Sequence, residues 1–207
     1  MEQRQSPLTP CGTVTCEVRE KLAHQLTVPN AVPAWREFDS PLPPFICKMS
    51  NRLKEIKEEL ETLTWVKWEN RFNVKDNQFP GVYVVAKTKN QVEGKKVDIH
   101  DIYYVGMTTS RAGLIGRLNQ FDSGIKRGYG HSGANRLFKE IKNNIPYPKW
   151  NDGERLFVAA IPKKCNVDKI TRDYQDLQTM GRIALLEFEI LAMIKMELGR
   201  EPELNKK

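Results

Sequence analysis

Two tyrosines in apolar, β-rich segments are the first candidates for chemistry. Tyr83 lies in GVYVVAK, and Tyr104 lies in DIYYVGMTT beside a second tyrosine, Tyr103. A phenol titrates at about pH 10, so it accepts a proton from water only when a nearby cation lowers its pKa. Side chains alternate along a strand, so only one of the adjacent tyrosines shares a face with a given residue of the neighbouring strand. A catalytic tyrosine here therefore requires basic neighbours.

Basic side chains follow the second tyrosine segment closely along the chain. They are Arg111, Arg117, Lys126 and Arg127. We expect all four to bind substrate by reaching a phosphate held beside that strand. Arg111 is the alternative to Arg117 as the principal phosphate ligand, because it is closer to Tyr104 in sequence.

Glu187 occupies an unusual place in an apolar helical pattern. At about 100° per residue, it lies within the arc formed by Ile183, Ile190, Ile194 and Leu198. An unpaired carboxylate is costly to bury in such a position. Either Glu187 pairs with a base, or it faces a cleft and holds a divalent cation with water ligands, as magnesium prefers.

The order of these features resembles that of the GIY-YIG nuclease family over about residues 79–207. The matching elements are GVY at 81–83, YVG at 104–106, an arginine on the helix that follows, LLEFEI at 185–190 and PELN at 202–205. Each tripeptide alone is a weak signal, and the ordered set carries the resemblance. It implies a metal-dependent endonuclease that hydrolyses DNA phosphodiester bonds and uses Mg²⁺ or Mn²⁺.

The resemblance also implies roles for particular residues. Tyr104 is the motif tyrosine, and either Tyr83 or Tyr104 acts as the base. Arg117 matches the family's arginine, which stabilises charge on phosphorus. Glu187 matches the metal-binding glutamate, with Glu189 as the alternative register. Asn205 matches a terminal asparagine that orients groups around the site.

One position departs from the family pattern. Where the family often carries a histidine or tyrosine one helical turn after the arginine, this chain has Phe121, which cannot transfer a proton. His131, in the glycine-rich segment GYGHSGAN, is the candidate substitute as a catalytic residue. Gly106 is expected at a strand end, where it either lets a phosphate approach the backbone or simply makes a turn.

The elements that would hold these residues predict an α+β fold. The sequence favours strands at 81–87, 102–105 and 155–161, and helices at 50–63, 112–121, 134–142 and 182–198. A glycine-rich basic loop is predicted at 122–133. We expect a small three-stranded, mostly antiparallel sheet flanked by helices, as in GIY-YIG proteins, with an N-terminal extension.

Composition divides the chain into three predicted regions. Residues 1–48 hold seven of the twelve prolines and predict an irregular extension. Residues 49–78 comprise an amphipathic helix and a linker, and 79–207 form the nuclease-like domain. The 50–63 helix is a candidate contact for a homodimer.

Charge and hydrophobicity limit the possible partners. The 207 residues include 40% hydrophobic side chains, enough for one core, and carry a formal net charge of +7. The excess of positive charge favours a polyanion such as DNA. With neither a long apolar run nor a secretory signal in the sequence, we expect a cytoplasmic protein without membrane contact.

These observations favour a DNA endonuclease with a restriction or phage-defence role, and a repair or recombination nuclease and a mobile-element endonuclease are the alternative settings. The alternative is a non-catalytic nucleic-acid-binding module that retained the fold, and Phe121 is the residue that best supports it.

Overall fold

The computed structural model describes residues 44–142 and 153–205, with side chains from 51 to 139 and from 153 to 205. The chain divides into two units, 1–54 and 55–207. The predicted extension at 1–48 lies outside the described residues, apart from the first turn of a helix, α1, which runs from Pro44 to Glu61. The sheet and the other helices belong to the second unit.

The sheet is antiparallel and has four strands, which confirms the α+β class. The strands are β1 (Val66–Lys67), β2 (Gly81–Thr88), β3 (Ile102–Thr108) and β4 (Arg155–Pro162), in the order β1-β4-β2-β3. The prediction of three strands is wrong, because β1 was not recognised. Its two residues are too few to show the alternation that identifies a strand.

The register of β2 and β3 brings the two candidate tyrosines together. Tyr83 pairs with Gly106, and Val85 pairs with Tyr104. Residues two apart share a face, so Tyr83 and Tyr104 are diagonal neighbours on one face of the sheet. Their ring centroids are 5.8 Å apart. Tyr103 is also buried, and the Lys87 ammonium lies 4.3 Å from its ring centroid.

Gly106 makes room for the two phenol rings. It lies inside β3 and not at its end, so the expected strand end and turn at this residue are wrong. A Cβ at this position would lie 2.6 Å from Cε1 of Tyr104 and 2.7 Å from the Tyr83 oxygen. The space above the glycine is filled by the tyrosines and is not open to a phosphate.

Two helices follow the β2–β3 pair. Helix α2 spans Gly113–Arg127 and helix α3 spans Ser132–Lys142. The predicted loop at 122–133 is therefore largely helical, and Lys126 and Arg127 lie in the last turn of α2. Apolar residues at helical spacing extend the buried face of α2 to Ile125. The helix ends at Gly128, whose φ of 77° suits a left-handed helix cap.

The longest helix, α4, spans Tyr174–Leu198 and begins well before the predicted start at 182. Its first turn is fixed by a capping box. The Asp173 carboxylate accepts the Asp176 N–H at 2.8 Å, and the Asp176 carboxylate accepts the Asp173 N–H at 3.0 Å. Neither α4 nor any other helix in the described part of the chain has the length and apolar character to cross a membrane.

Packing at Gly106 gives a direct prediction for stability. We expect Gly106→Ala to lower the free energy of unfolding by about 1–3 kcal/mol, because the added methyl displaces two buried rings. Urea denaturation of the variant and of the natural chain measures this difference. Unchanged stability would show that the rings do not occupy the space above Gly106.

Candidate active site

The structure gathers the five predicted catalytic residues from five different segments. Tyr83 comes from β2, Tyr104 from β3, Arg117 from α2, His131 from the α2–α3 connection and Glu187 from α4. The charge of Arg117 lowers the pKa of each of the other four, although burial opposes it at three of them and is the larger influence there. Arg117 is therefore electrostatically coupled to the whole group.

Tyr83 and His131 form a buried hydrogen-bonded pair. The Tyr83 oxygen lies 3.0 Å from Nε2 of His131. The backbone N–H of Ala134 donates to Nδ1 of His131 at 3.3 Å, so Nδ1 acts as an acceptor. A neutral ring that accepts at Nδ1 carries its proton on Nε2, so His131 donates to the phenol oxygen. This bond fixes the orientation of both rings.

Burial controls the protonation of this pair. It lowers the pKa of His131 from 6.5 to about 4, and the charge of Arg117 acts in the same direction. The ring is consequently neutral at pH 7. Burial also raises the pKa of Tyr83 well above its ordinary value, and Tyr104 adds to this rise while Arg117 opposes it.

The pKa of Tyr104 is also raised, primarily by burial. The charge of Glu187 contributes to the rise, whereas Arg117 and Arg136 lower the pKa. The expected basic neighbours are thus present, but burial outweighs them. Both phenols are protonated at neutral pH in the protein alone, and more positive charge must enter the site before either one can ionise.

Arg117 lines an open cleft and has one buried donor without a partner among the described residues. Its Nη1 donates to Oε1 of Gln120 at 2.6 Å, while its buried Nε has no hydrogen-bond partner in the described part of the chain. The cleft has a volume of about 460 Å³. It is lined by Met107, Thr108, Thr109, Ser110, Ala112, Gly116, Arg117 and Gln120. A guanidinium that lines such a cleft suits an anionic ligand.

Glu187 is half-buried, and within the described ranges it makes no hydrogen bond or salt bridge. Burial raises the pKa of its carboxyl group, while Arg117 lowers it. No group of three or more His, Cys, Asp or Glu side chains is placed to hold a metal among the described residues. A hydrated Mg²⁺ needs only one or two carboxylates, so the single Glu187 carboxylate fits this ion and does not fit a closed metal cage.

Phe121 lies at the centre of the aromatic cluster. It is fully buried, and its ring centroid lies 4.7 Å from that of His131 and 5.2 Å from that of Tyr104. The imidazole ring of His131 thus packs against Phe121, which occupies the position where a histidine or tyrosine was expected. His131 lies beside Tyr83, and its role as the substitute for the family's histidine or tyrosine stays a prediction.

The other predicted cations already have partners. Arg111 is paired with Asp168 at 2.8 Å, and Lys126 is paired with Asp122 at 2.7 Å. Arg127 donates to the hydroxyl of Tyr129 at 3.4 Å. Arg117 is therefore better placed than Arg111 to contact a ligand at the cleft, and substrate binding by the other three cations stays a prediction.

Asn205 completes the exposed edge of the sheet. Its Oδ1 accepts the N–H of Val105 and its Nδ2 donates to the carbonyl of Val105, both at 2.8 Å. The side chain thus behaves like a short additional strand beside β3. Because Val105 lies between Tyr104 and Gly106, these two bonds position the part of β3 that carries the motif tyrosine.

Three supporting residues were not predicted from the sequence. Gln120 joins the site to the His131 loop, because it accepts from Arg117 and donates to the Gly130 carbonyl at 2.9 Å. Gln120 lies three residues after Arg117, and this spacing is the sequence feature that could have identified it as a partner of the arginine. Arg136 donates to the Leu204 carbonyl beside Asn205.

Asp122 is the third supporting residue, and it lies on α2, the helix that carries Arg117. It is buried, accepts from Nε1 of Trp68 at 3.0 Å, and pairs with Arg71 at 3.3 Å. Its bonds join α2 to the residues that follow β1. A buried aspartate of this kind gives no periodic signal, because its partners are distant in sequence.

Comparison of the chain with protein-family models, with curated proteins and with solved structures finds no match. The resemblance to GIY-YIG nucleases therefore stays an expectation that depends on the sequence motifs.

The lowered pKa of His131 predicts a specific dependence of stability on pH. The unfolded chain binds a proton at this histidine near pH 6.5, while the folded chain binds it only near pH 4. The contribution of His131 to the free energy of unfolding is therefore fully present above about pH 6.5. It is lost as the pH falls toward 4, and the loss is on the order of 3 kcal/mol. Urea denaturation at a series of pH values measures the loss.

The variant His131→Gln is the control, because it cannot titrate. Its stability should depend less on pH over this interval than that of the natural chain. Identical pH profiles for the two proteins would show that His131 titrates normally and is not buried as described.

Proposed function

We propose that this protein is a metal-dependent endonuclease of GIY-YIG type that hydrolyses phosphodiester bonds in DNA. The observation that carries the proposal is the arrangement around Arg117. Its side chain lines an open cleft, and its charge acts on the Tyr83–His131 pair and on Glu187. Phosphodiester hydrolysis needs an anion ligand, a proton acceptor and a carboxylate, and these residues supply all three.

Arg117 would hold the phosphate that is cut. Its planar group can donate to two non-bridging oxygens, and a half-buried location strengthens each bond. Negative charge on these oxygens grows in the transition state, so an arginine held in place by Gln120 favours the transition state over the ground state. Thr109 and Ser110 line the same cleft, and their hydroxyls can donate to neighbouring phosphates, while the Thr108 hydroxyl donates to that of Ser110 at 3.1 Å.

Tyr83 would first lose its phenol proton to solvent, and the resulting phenolate would then receive the proton of the attacking water. His131 donates its Nε2 proton to the phenol oxygen, which stabilises negative charge on Tyr83 when the phenol ionises. The water oxygen forms the new bond to phosphorus, the bond from phosphorus to the leaving oxygen breaks, and that oxygen takes a proton from solvent. Tyr104 is the alternative base, and its ring packs beside that of Tyr83.

Glu187 is the residue that would hold Mg²⁺ or Mn²⁺, with water as the remaining ligands. When bound, the ion supplies positive charge that stabilises the leaving oxygen. Of the two glutamates that fit the motif, Glu187 is the one whose charge acts on Tyr104. We expect activity to require a divalent cation, because burial keeps the phenols protonated in its absence.

The positive charge of the chain favours a nucleic acid substrate. A formal net charge of +7 attracts the phosphate backbone without regard to sequence. We propose DNA as the substrate on the basis of the motif residues, and a cytoplasmic restriction or phage-defence role as the setting.

Cleavage of supercoiled plasmid tests this function, with and without Mg²⁺. We expect the natural chain to nick or linearise the plasmid only with the metal. We expect Glu187→Gln to lose at least 100-fold in rate, on the order of the effect of losing a metal ligand or its close support. The matched control is Glu189→Gln, which removes the same charge two residues away and should retain most activity.

The possible outcomes separate the two functions inferred from the sequence. If Glu189→Gln loses activity and Glu187→Gln does not, Glu189 is the glutamate that holds the metal. If no protein cuts several unrelated DNAs but all retard them on a gel, the chain is a non-catalytic binding module and the proposed activity is wrong. Mn²⁺ affinity measured by calorimetry should fall in Glu187→Gln, which tests the metal site without reference to activity.

A further inference from the structure

Helix α4 carries an apolar stripe on its exposed side. Tyr174 is 67% exposed, Leu177 is 48% exposed, Leu185 is 57% exposed and Phe188 is 67% exposed. Large apolar side chains are seldom exposed in a row, and such rows mark interaction surfaces. The core-facing residues of α4 are Ile183, Leu186, Ile190, Met193 and Ile194. At about 100° per residue they lie on the opposite side of the helix.

The stripe has the spacing of a helix–helix seam. Tyr174, Leu177, Gly181 and Phe188 follow one another at intervals of three, four and seven residues, and Leu185 lies beside them. Apolar residues at this period form the narrow contact line of paired helices. The stripe therefore fits another helix better than it fits an extended peptide.

The stripe is also symmetric about Gly181. Leu177 and Leu185 lie four residues before and after it, and Tyr174 and Phe188 lie seven residues before and after it. When two copies of α4 pair antiparallel with Gly181 on the two-fold axis, each leucine meets the other leucine and each tyrosine meets a phenylalanine. A two-fold interface requires this self-complementarity, since every contact occurs twice.

Gly181 allows the helices to approach closely at the axis. It is exposed, and a Cβ added there would have no atom within 4 Å. Glycine in a helix interior costs about 1 kcal/mol relative to alanine, and nothing in the fold of one copy requires it here. At a crossing point, the missing side chain brings the two backbones together and lets the flanking leucines interlock.

We propose that the exposed stripe of α4 binds the same stripe of a second copy, forming an antiparallel two-fold dimer centred on Gly181. This contact is distinct from the 50–63 helix that the sequence offered as a dimer candidate. The paired segment spans about 21 Å from Tyr174 to Phe188 at 1.5 Å per residue, which is short for a protein interface. The dimer therefore dissociates on dilution.

Sedimentation of the full chain over a wide range of concentration tests the proposal. We expect the natural chain to pass from monomer to dimer as its concentration rises. The variant Gly181→Arg places two bulky cations on the axis, and its dimer dissociation constant should rise at least 100-fold. Its folded monomer should be at least as stable as the natural one, because the added side chain enters open space and arginine favours helix over glycine.

Gln175→Arg is the matched control. It adds the same charge to an exposed residue of the same helix, about 100° around from Tyr174. It also removes an exposed 3.3 Å hydrogen bond from Gln175 to the Tyr174 hydroxyl, a small change beside two cations on the axis. This variant should dimerise like the natural chain. A natural chain that stays monomeric at every concentration, or a Gly181→Arg variant that dimerises equally well, would overturn the proposal.

The dimer has a consequence that rests on the proposed nuclease function. Glu187 lies six residues beyond Gly181, so the two copies of Glu187 are about 18 Å apart along the helices. One dimer would then hold two sites and cut both strands in one encounter. We expect the natural chain to linearise plasmid and Gly181→Arg mainly to nick it. If neither protein cuts DNA, the proposed function fails, while the sedimentation result still decides the dimer.

Discussion

The site depends on a positive charge that is held half-buried without a dedicated counter-ion. Arg117 is fixed by Gln120, yet its Nε has no partner within the described part of the chain. Around it lie a neutral histidine, two protonated tyrosines and a carboxyl group with a raised pKa. A partly desolvated arginine in such surroundings favours an incoming anion, because the anion supplies both the missing hydrogen bonds and the missing negative charge.

The sheet provides the rigidity that this arrangement needs. Gly106 lets the Tyr83 and Tyr104 rings lie side by side, and Phe121 packs against both of them. Asn205 supports the edge of β3 beside Tyr104. A site built on paired strands and packed rings holds its polar atoms more precisely than a site built on loops alone. His131, which comes from a loop, is fixed by its bonds to Tyr83 and Ala134.

The sequence predicted the elements with strong periodicity and missed the features that depend on tertiary contacts. β2, β3, β4 and helix α4 were recognisable because their apolar residues recur at the period of a strand or a helix. The short strand β1 and the capped first turns of α4 have no such signal. Among the site residues, Glu187 was recognised by its place in an apolar arc. The supports Asp122 and Arg136 were not, since their partners are brought near only by folding.

The coupling between Arg117 and the buried histidine can be measured directly. NMR titration of the His131 ring in the natural chain should give a pKa of about 4. In Arg117→Gln the pKa should move upward toward 6.5, because a positive charge that opposes protonation has been removed. The control Arg111→Gln should leave it unchanged. A natural value near 6.5 would show that His131 is not buried as described, and the same value in both proteins would show that Arg117 and His131 do not belong to one site.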